Sequence, residues 1–238
     1  MKNKLLSLDI SRQPTDTTCG PTSLHAVYNF FDVHLPLQEV ISSIEYLDDG
    51  GTLAVMLGID ALKKGFNAEI ITFNLRVFDP SWFKEADINL VDKLKQQLKY
   101  KTSPKFRQAS KAYIQFLSLG GVIHYKTLNK ELLEHYLLKN VPILTGLSAT
   151  YLYNEKREIG DPVYFDDIKG IPSGHFVVLN GIDLKNGTVK ILDPLHANPF
   201  EKQNYSVNID HLICAILLGV ITYDANLLII DKKPTCEL

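Results

Sequence analysis

The chain has 238 residues, enough for one large core or two modest ones, and a single elaborated domain over residues 1–238 fits that length best. Its hydrophobic share of 45% and charged share of 22% are those of an ordinary globular protein. A net charge of −2 excludes the electrostatic footprint of a nucleic-acid or anionic-membrane binder. Three widely spaced cysteines (Cys19, Cys214, Cys236) make neither a disulfide framework nor a paired metal site, which points to a reducing compartment.

At the N-terminus, Asp9 interrupts the apolar run too early for a secretory signal. The longest apolar run, 213–221, falls well short of the ~20 residues of a membrane span. A cytoplasmic location is expected unless an uncleaved export signal carries the chain elsewhere.

Gln13 stands six positions before Cys19-Gly20-Pro21, and Pro21 suits a first helical turn. Leu24, Val27, Tyr28 and Phe31 then recur at i, i+3, i+4 and i+7, the stripe of an amphipathic helix. A sulfur at a helix N-terminus meets unpaired N–H groups and the positive end of the helix dipole, both of which favour the nucleophilic thiolate. Gly20 leaves space beside the sulfur, so Cys19 reads as a nucleophile rather than as a buried structural cysteine. Gln13 offers an N–H donor to an oxyanion forming beside it.

Further helices are expected over Leu37–Ile44 and over Leu53–Lys64, the latter capped by Thr52 and closed by Gly65. A strand should follow at Phe66–Phe73. Residues 79–121 are more polar, with one helix through Leu90, Val91, Leu94 and Leu98. A second starts at Ser103-Pro104 and carries Phe106, Ala109, Tyr113, Phe116 and Leu117. These helices form either a helical insertion over the active site or simple packing on the core. A helix through Leu132, Leu133, Tyr136 and Leu137 then leads into a strand at Val141–Leu147. Strands are expected at His175–Ile182, Thr188–Leu192, Ala215–Tyr223 and Leu227–Ile230, with a long loop over 154–174. Helices first and an antiparallel sheet afterwards make an α+β fold.

A nucleophilic cysteine needs a base, and the base an orienting group. Among seven histidines, His25 sits almost two turns into the Cys19 helix and should point away. His34, His124 and His135 lie in polar contexts, and capping by Asp210 explains His211. His196 is the rival base, but in a loop. His175 opens an apolar strand directly after Ser173-Gly174, where a sheet can present a base at a cleft. Asp193 ends the next strand.

Register tests that pair. A strict two-residue Asn186-Gly187 turn places Asp193 opposite Asn180, leaving His175 roughly 16 Å away. A five-residue loop over 183–187 places Asp193 opposite Val177 and diagonal to His175, roughly 7–8 Å away at Cα. A bulge serves equally.

Gln13 before Cys19-Gly20-Pro21, then His175 leading an apolar strand, then Ile191-Leu192-Asp193-Pro194, resembles the papain-like cysteine peptidases. Within them it is most similar to the branch typified by the double-glycine leader peptidases of bacteriocin exporters. The resemblance implies a papain-like fold, a helical half against an antiparallel sheet with the site between them. It also implies Cys19 as nucleophile, His175 as base, Asp193 as orienter and Gln13 in the oxyanion hole. Hydrolysis of a peptide or amide bond through a thioester is then expected, with no metal or organic cofactor. An acyltransferase using the same intermediate and a shell that only binds peptide are the alternatives.

Overall fold

The computed structural model describes residues 3–48, 50–84, 88–160, 163–222 and 224–232; Cys236 lies outside the described residues. A short strand β1 (Asn3–Leu5) precedes three helices, α1 (Cys19–Phe30), α2 (Leu37–Ser43) and α3 (Ala54–Lys63). The apolar stripe read for α1 is buried, with Leu24, Val27 and Tyr28 almost fully enclosed. Gly65, at φ +88°, closes α3 in the left-handed conformation that glycine adopts without strain. Strand β2 (Phe66–Thr72) leads to α4 (Leu90–Gln97), α5 (Pro104–Ser118) and strand β3 (Val122–His124).

Next come α6 (Lys130–Leu138), β4 (Ile143–Ser148) and the single-turn α7 (Ala149–Tyr153). Two short strands, β5 (Glu158–Ile159) and β6 (Tyr164–Phe165), form a hairpin within the expected long loop. The chain continues through β7 (Gly174–Asp183), β8 (Thr188–Leu192), β9 (Asn204–Asn208), α8 (Ile209–Leu218) and β10 (Asn226–Lys232).

The main sheet runs β3-β2-β10-β4-β7-β8-β9, with β1 paired to the end of β7. Every pairing in it is antiparallel except β2 with β3. Both faces are covered. Phe176, Val178, Leu144 and Leu228 pack with α1, α3 and α5 on one face. Val177, Leu179, Ile143 and Leu227 pack with α6 and α8 on the other. Burial on both faces explains why β7 reads as an unbroken apolar run rather than an alternating one.

The helices of 79–121 share the first of these cores. Leu94, Phe106, Ala109, Tyr113 and Phe116 belong to one buried cluster with Leu24 and Leu57. Gly58 lets α5 approach α3 closely, since a Cβ there would stand 2.7 Å from Phe116.

Three expectations need correction. Residues 215–222 are not a strand: they continue α8 and a following 3-10 turn at Gly219–Thr222, while Tyr223 lies outside the described residues. Ile209, Leu212, Ala215 and Ile216 are the buried set, a helical spacing that the dense apolar run conceals. The cap of α8 is Asn208, whose Oδ1 accepts from the N–H groups of Asp210 and His211, rather than Asp210 itself. At α3 the N-cap position belongs to Leu53, not Thr52, and the Ala54 N–H donates to the distant Asp224 carboxylate at 2.7 Å.

Candidate active site

Helix α1 begins at Cys19 with no side chain capping its first turn. The Thr18 hydroxyl is occupied elsewhere, donating to the Thr15 carbonyl at 2.9 Å. Cys19 therefore stands at the positive end of a helix that Thr18 does not cap. Cys19 is 9% exposed and lines a cleft of about 280 Å³ together with Thr52, Gly146, Gly174, His175 and Asp224. Gly20 has a different reason from the one its sequence context suggests. A Cβ there would lie 2.4 Å from Thr52 Oγ1 and 3.2 Å from Phe176, so the glycine allows close packing rather than open space.

His175 stands at the start of β7, and the main chain just before it is tied down on both sides. The Ser173 N–H donates to Thr150 Oγ1 at 3.0 Å, and its hydroxyl donates to Glu158 at 2.8 Å. Asp183 pairs with Thr188, so the β7–β8 loop has four residues, neither of the two lengths weighed from the sequence. The register then shifts between Leu179 and Gly181. Asn180 is the extra residue, and beyond it Val178 pairs with Leu192, which sets Asp193 opposite Val177. Without that bulge Asp193 would fall opposite Val178, on the other face of the sheet from His175. The bulge alternative is the one the chain uses.

His175 Nε2 and Asp193 Oδ1 are 2.8 Å apart, with the residues 7% and 0% exposed. The Leu195 N–H also donates to Oδ1 at 2.8 Å. The second oxygen, Oδ2, accepts from two phenols, Tyr153 at 2.8 Å and Tyr205 at 2.7 Å. Burial by itself would lower the proton affinity of His175. The charge and hydrogen bond of Asp193, then the interaction with Cys19, outweigh it and raise the imidazole above its ordinary range. Burial pushes Asp193 up, but His175 and the two tyrosine hydroxyls hold it below the usual carboxylate value. A thiol at a helix N-terminus, a proton-loving imidazole and a buried carboxylate can together support nucleophilic attack with proton transfer.

Among the described residues, no other histidine pairs with a buried carboxylate. His196 is exposed in its loop. His25 contacts the Leu35 carbonyl, and His211 the Leu152 carbonyl. His124 does have an acidic partner, Glu69 at 3.6 Å, but both side chains are over a third exposed. Gln13 is buried, and its N–H donates to the Pro194 carbonyl at 2.9 Å, which ties it to the Asp193 segment. Its Nε2 donates to the Thr15 carbonyl at 3.0 Å, while Oε1 has no hydrogen-bond partner among the described residues.

Tyr153 lies in no motif of the sequence, and its hydroxyl turns inward to Asp193. Tyr205 carries no sequence signal of this contact. It sits on β9, where the alternation of buried Tyr205 and Val207 with exposed neighbours was the available clue to a strand.

The fold resembles that of a candidate C39-like peptidase from Bacillus anthracis, at 13% identity over 98% of this chain and 99% of that one, with a TM-score of 0.55. Weaker likenesses reach two further structures. One is a double-glycine motif protease from an AMS/PCAT transporter in complex with the leader peptide (14% identity, 97% and 95% covered, TM-score 0.46). The other is xylellain, a cysteine protease from Xylella fastidiosa (13%, 97% and 86%, TM-score 0.44). No curated protein matches the chain. The architecture is α+β and papain-like, helices against a mostly antiparallel sheet. The model of the Peptidase_C39 like family matches residues 5–211, most of the sequence, and the chain belongs to that family of peptidases.

Proposed function

We propose that this peptidase cleaves a peptide bond through a thioester on Cys19, with His175 as proton carrier, Asp193 as its orienter and Gln13 as an oxyanion donor. The Cys19 thiolate attacks the carbonyl carbon. The oxyanion is met by the Cys19 N–H and by the amide hydrogen of Gln13 Nε2 not engaged with Thr15. The His175 imidazolium gives its proton to the departing amine as the C–N bond breaks. Water then attacks the thioester carbonyl, His175 takes a proton from it, and the C–S bond opens to release the acid.

The observation that carries this reading is the buried 2.8 Å contact between His175 and Asp193 at a cleft that Cys19 also lines. The test is cleavage of a mixed peptide pool, read as new termini by mass spectrometry, for the wild type and for Cys19→Ala, His175→Ala and His196→Ala. Cleavage should vanish in the first two variants and persist in the third. Loss in His196→Ala with near-native cleavage in His175→Ala would overturn the base assignment.

A further inference from the structure

We infer that Tyr153 and Tyr205 are positioning residues, a pair of phenols from separate elements that keep the Asp193 carboxylate ionised and aimed at His175. The inference rests on the catalytic reading above and adds to it the group that holds the orienter itself.

Asp193 is fully buried, and a carboxylate removed from water is costly unless donors replace its hydration. Four donors do so here. His175 Nε2 and the Leu195 N–H serve Oδ1, and the hydroxyls of Tyr153 and Tyr205 serve Oδ2. The phenols come from α7 and β9, 40 and 12 residues from the carboxylate in the chain. Both face Oδ2, so the carboxylate cannot rotate away from His175 without losing a hydrogen bond.

The ring of Phe200 stacks on Tyr205 at 4.2 Å and meets Tyr153 edge-on at 6.1 Å, so it touches both phenol rings. Burial, then the neighbouring Asp193 charge, pushes both phenols far above their ordinary range, so they remain protonated donors at any working pH. The titratable groups facing this cluster are His175 from β7, Cys19 from α1, Tyr153 from α7 and Tyr205 from β9.

A packing role alone would leave the proton affinity of His175 untouched by Tyr→Phe, which keeps the ring and removes only the hydroxyl. A role in aiming Asp193 lowers it, because a carboxylate that has lost an anchor on Oδ2 turns Oδ1 away from the imidazolium and weakens their contact.

The experiment is an NMR titration of the His175 imidazole in the full chain for wild type, Tyr153→Phe, Tyr205→Phe and the double variant. Each single variant should lower the midpoint by about one pH unit, about tenfold in proton affinity, and the double variant by more. The alkaline limb of the peptide-cleavage profile should fall with it. In an Asp193→Asn background, Tyr205→Phe should produce no further shift. Unchanged midpoints in both folded single variants, or an equal shift in the Asp193→Asn background, would overturn the inference. The titration needs no substrate, so its failure is separate from that of the peptidase mechanism, which Cys19→Ala tests.

Discussion

On the proposed mechanism, variants of Cys19, His175, Asp193 and Gln13 should fail by different amounts. Cys19→Ala and His175→Ala remove the nucleophile and the proton carrier, and each should abolish turnover. Asp193→Asn keeps the shape but admits the wrong imidazole tautomer, so a loss of up to ~10⁴-fold is expected by analogy with serine enzymes. Gln13→Ala should cost ~10²–10³-fold in rate with substrate binding retained. Steady-state kinetics beside a thermal melt of each variant checks the series.

The pair also sets a pH dependence of stability. Asp193 is lowered on folding, so its contribution is present above the ordinary carboxylate range and lost as pH falls through its native value. His175 is raised, so its contribution is full below its ordinary 6.5 and lost as pH climbs through its native value. Wild-type melts should weaken in acid more steeply than those of Asp193→Asn. Parallel acid limbs would contradict that assignment. Sequence exposed the cysteine, the histidine and the aspartate because each stands at the end of a periodic element. It hid the two tyrosines, because a hydroxyl reaching across 40 residues leaves no local pattern.

At the scale of elements, helix α3 begins with a buried acceptor from a remote segment. Burial is the main influence on Asp224, raising it from 3.8 to about 7 against the opposing hydrogen bonds from Asn226 and the Ala54 N–H. A carboxyl raised in the native state stabilises most when protonated. Its contribution is therefore present below 3.8 and lost as pH rises toward 7, opposite in sign to that of Asp193. Asp224→Asn removes this titration, so the melting temperature of the variant should change less than that of the wild type between pH 4 and 7. Equal slopes would show that Asp224 does not titrate in that window.

Local pattern misplaced the cap at Thr52 because a capping side chain 170 positions away cannot be read from neighbouring residues. The register count was more informative. It showed that a plain Asn186-Gly187 hairpin could not join His175 to Asp193, and the chain resolves this with a four-residue loop and the bulge at Asn180. The α8 segment failed for another reason: in a run as apolar as 212–221, helical and strand periods are equally satisfied.

Across the whole molecule, two cores on opposite faces of one sheet hold the candidate catalytic groups from different sides. Cys19 comes with the helical cluster, while Asp193 is held by Tyr153 and Tyr205, which pack with the second. The helices of 79–121, ambiguous in sequence between insertion and packing, contribute the fully buried Tyr113 and Phe116 to the first core. Phe116→Ala should therefore destabilise the protein by about 3–5 kcal/mol, read from denaturant unfolding. A loss under about 1 kcal/mol would mean that α5 is peripheral.

Cys214 is exposed on α8, whereas Cys19 is buried. Accessibility alone thus favours alkylation of Cys214, and an activated thiolate favours Cys19. The most direct test of the paired site is iodoacetamide labelling at mildly acidic pH, followed by peptide mass spectrometry, in the wild type and in His175→Ala. Cys19 should react ahead of both Cys214 and Cys236, and that lead should disappear in His175→Ala. Labelling of Cys19 no faster than of Cys214, or an equal lead without His175, would contradict the account.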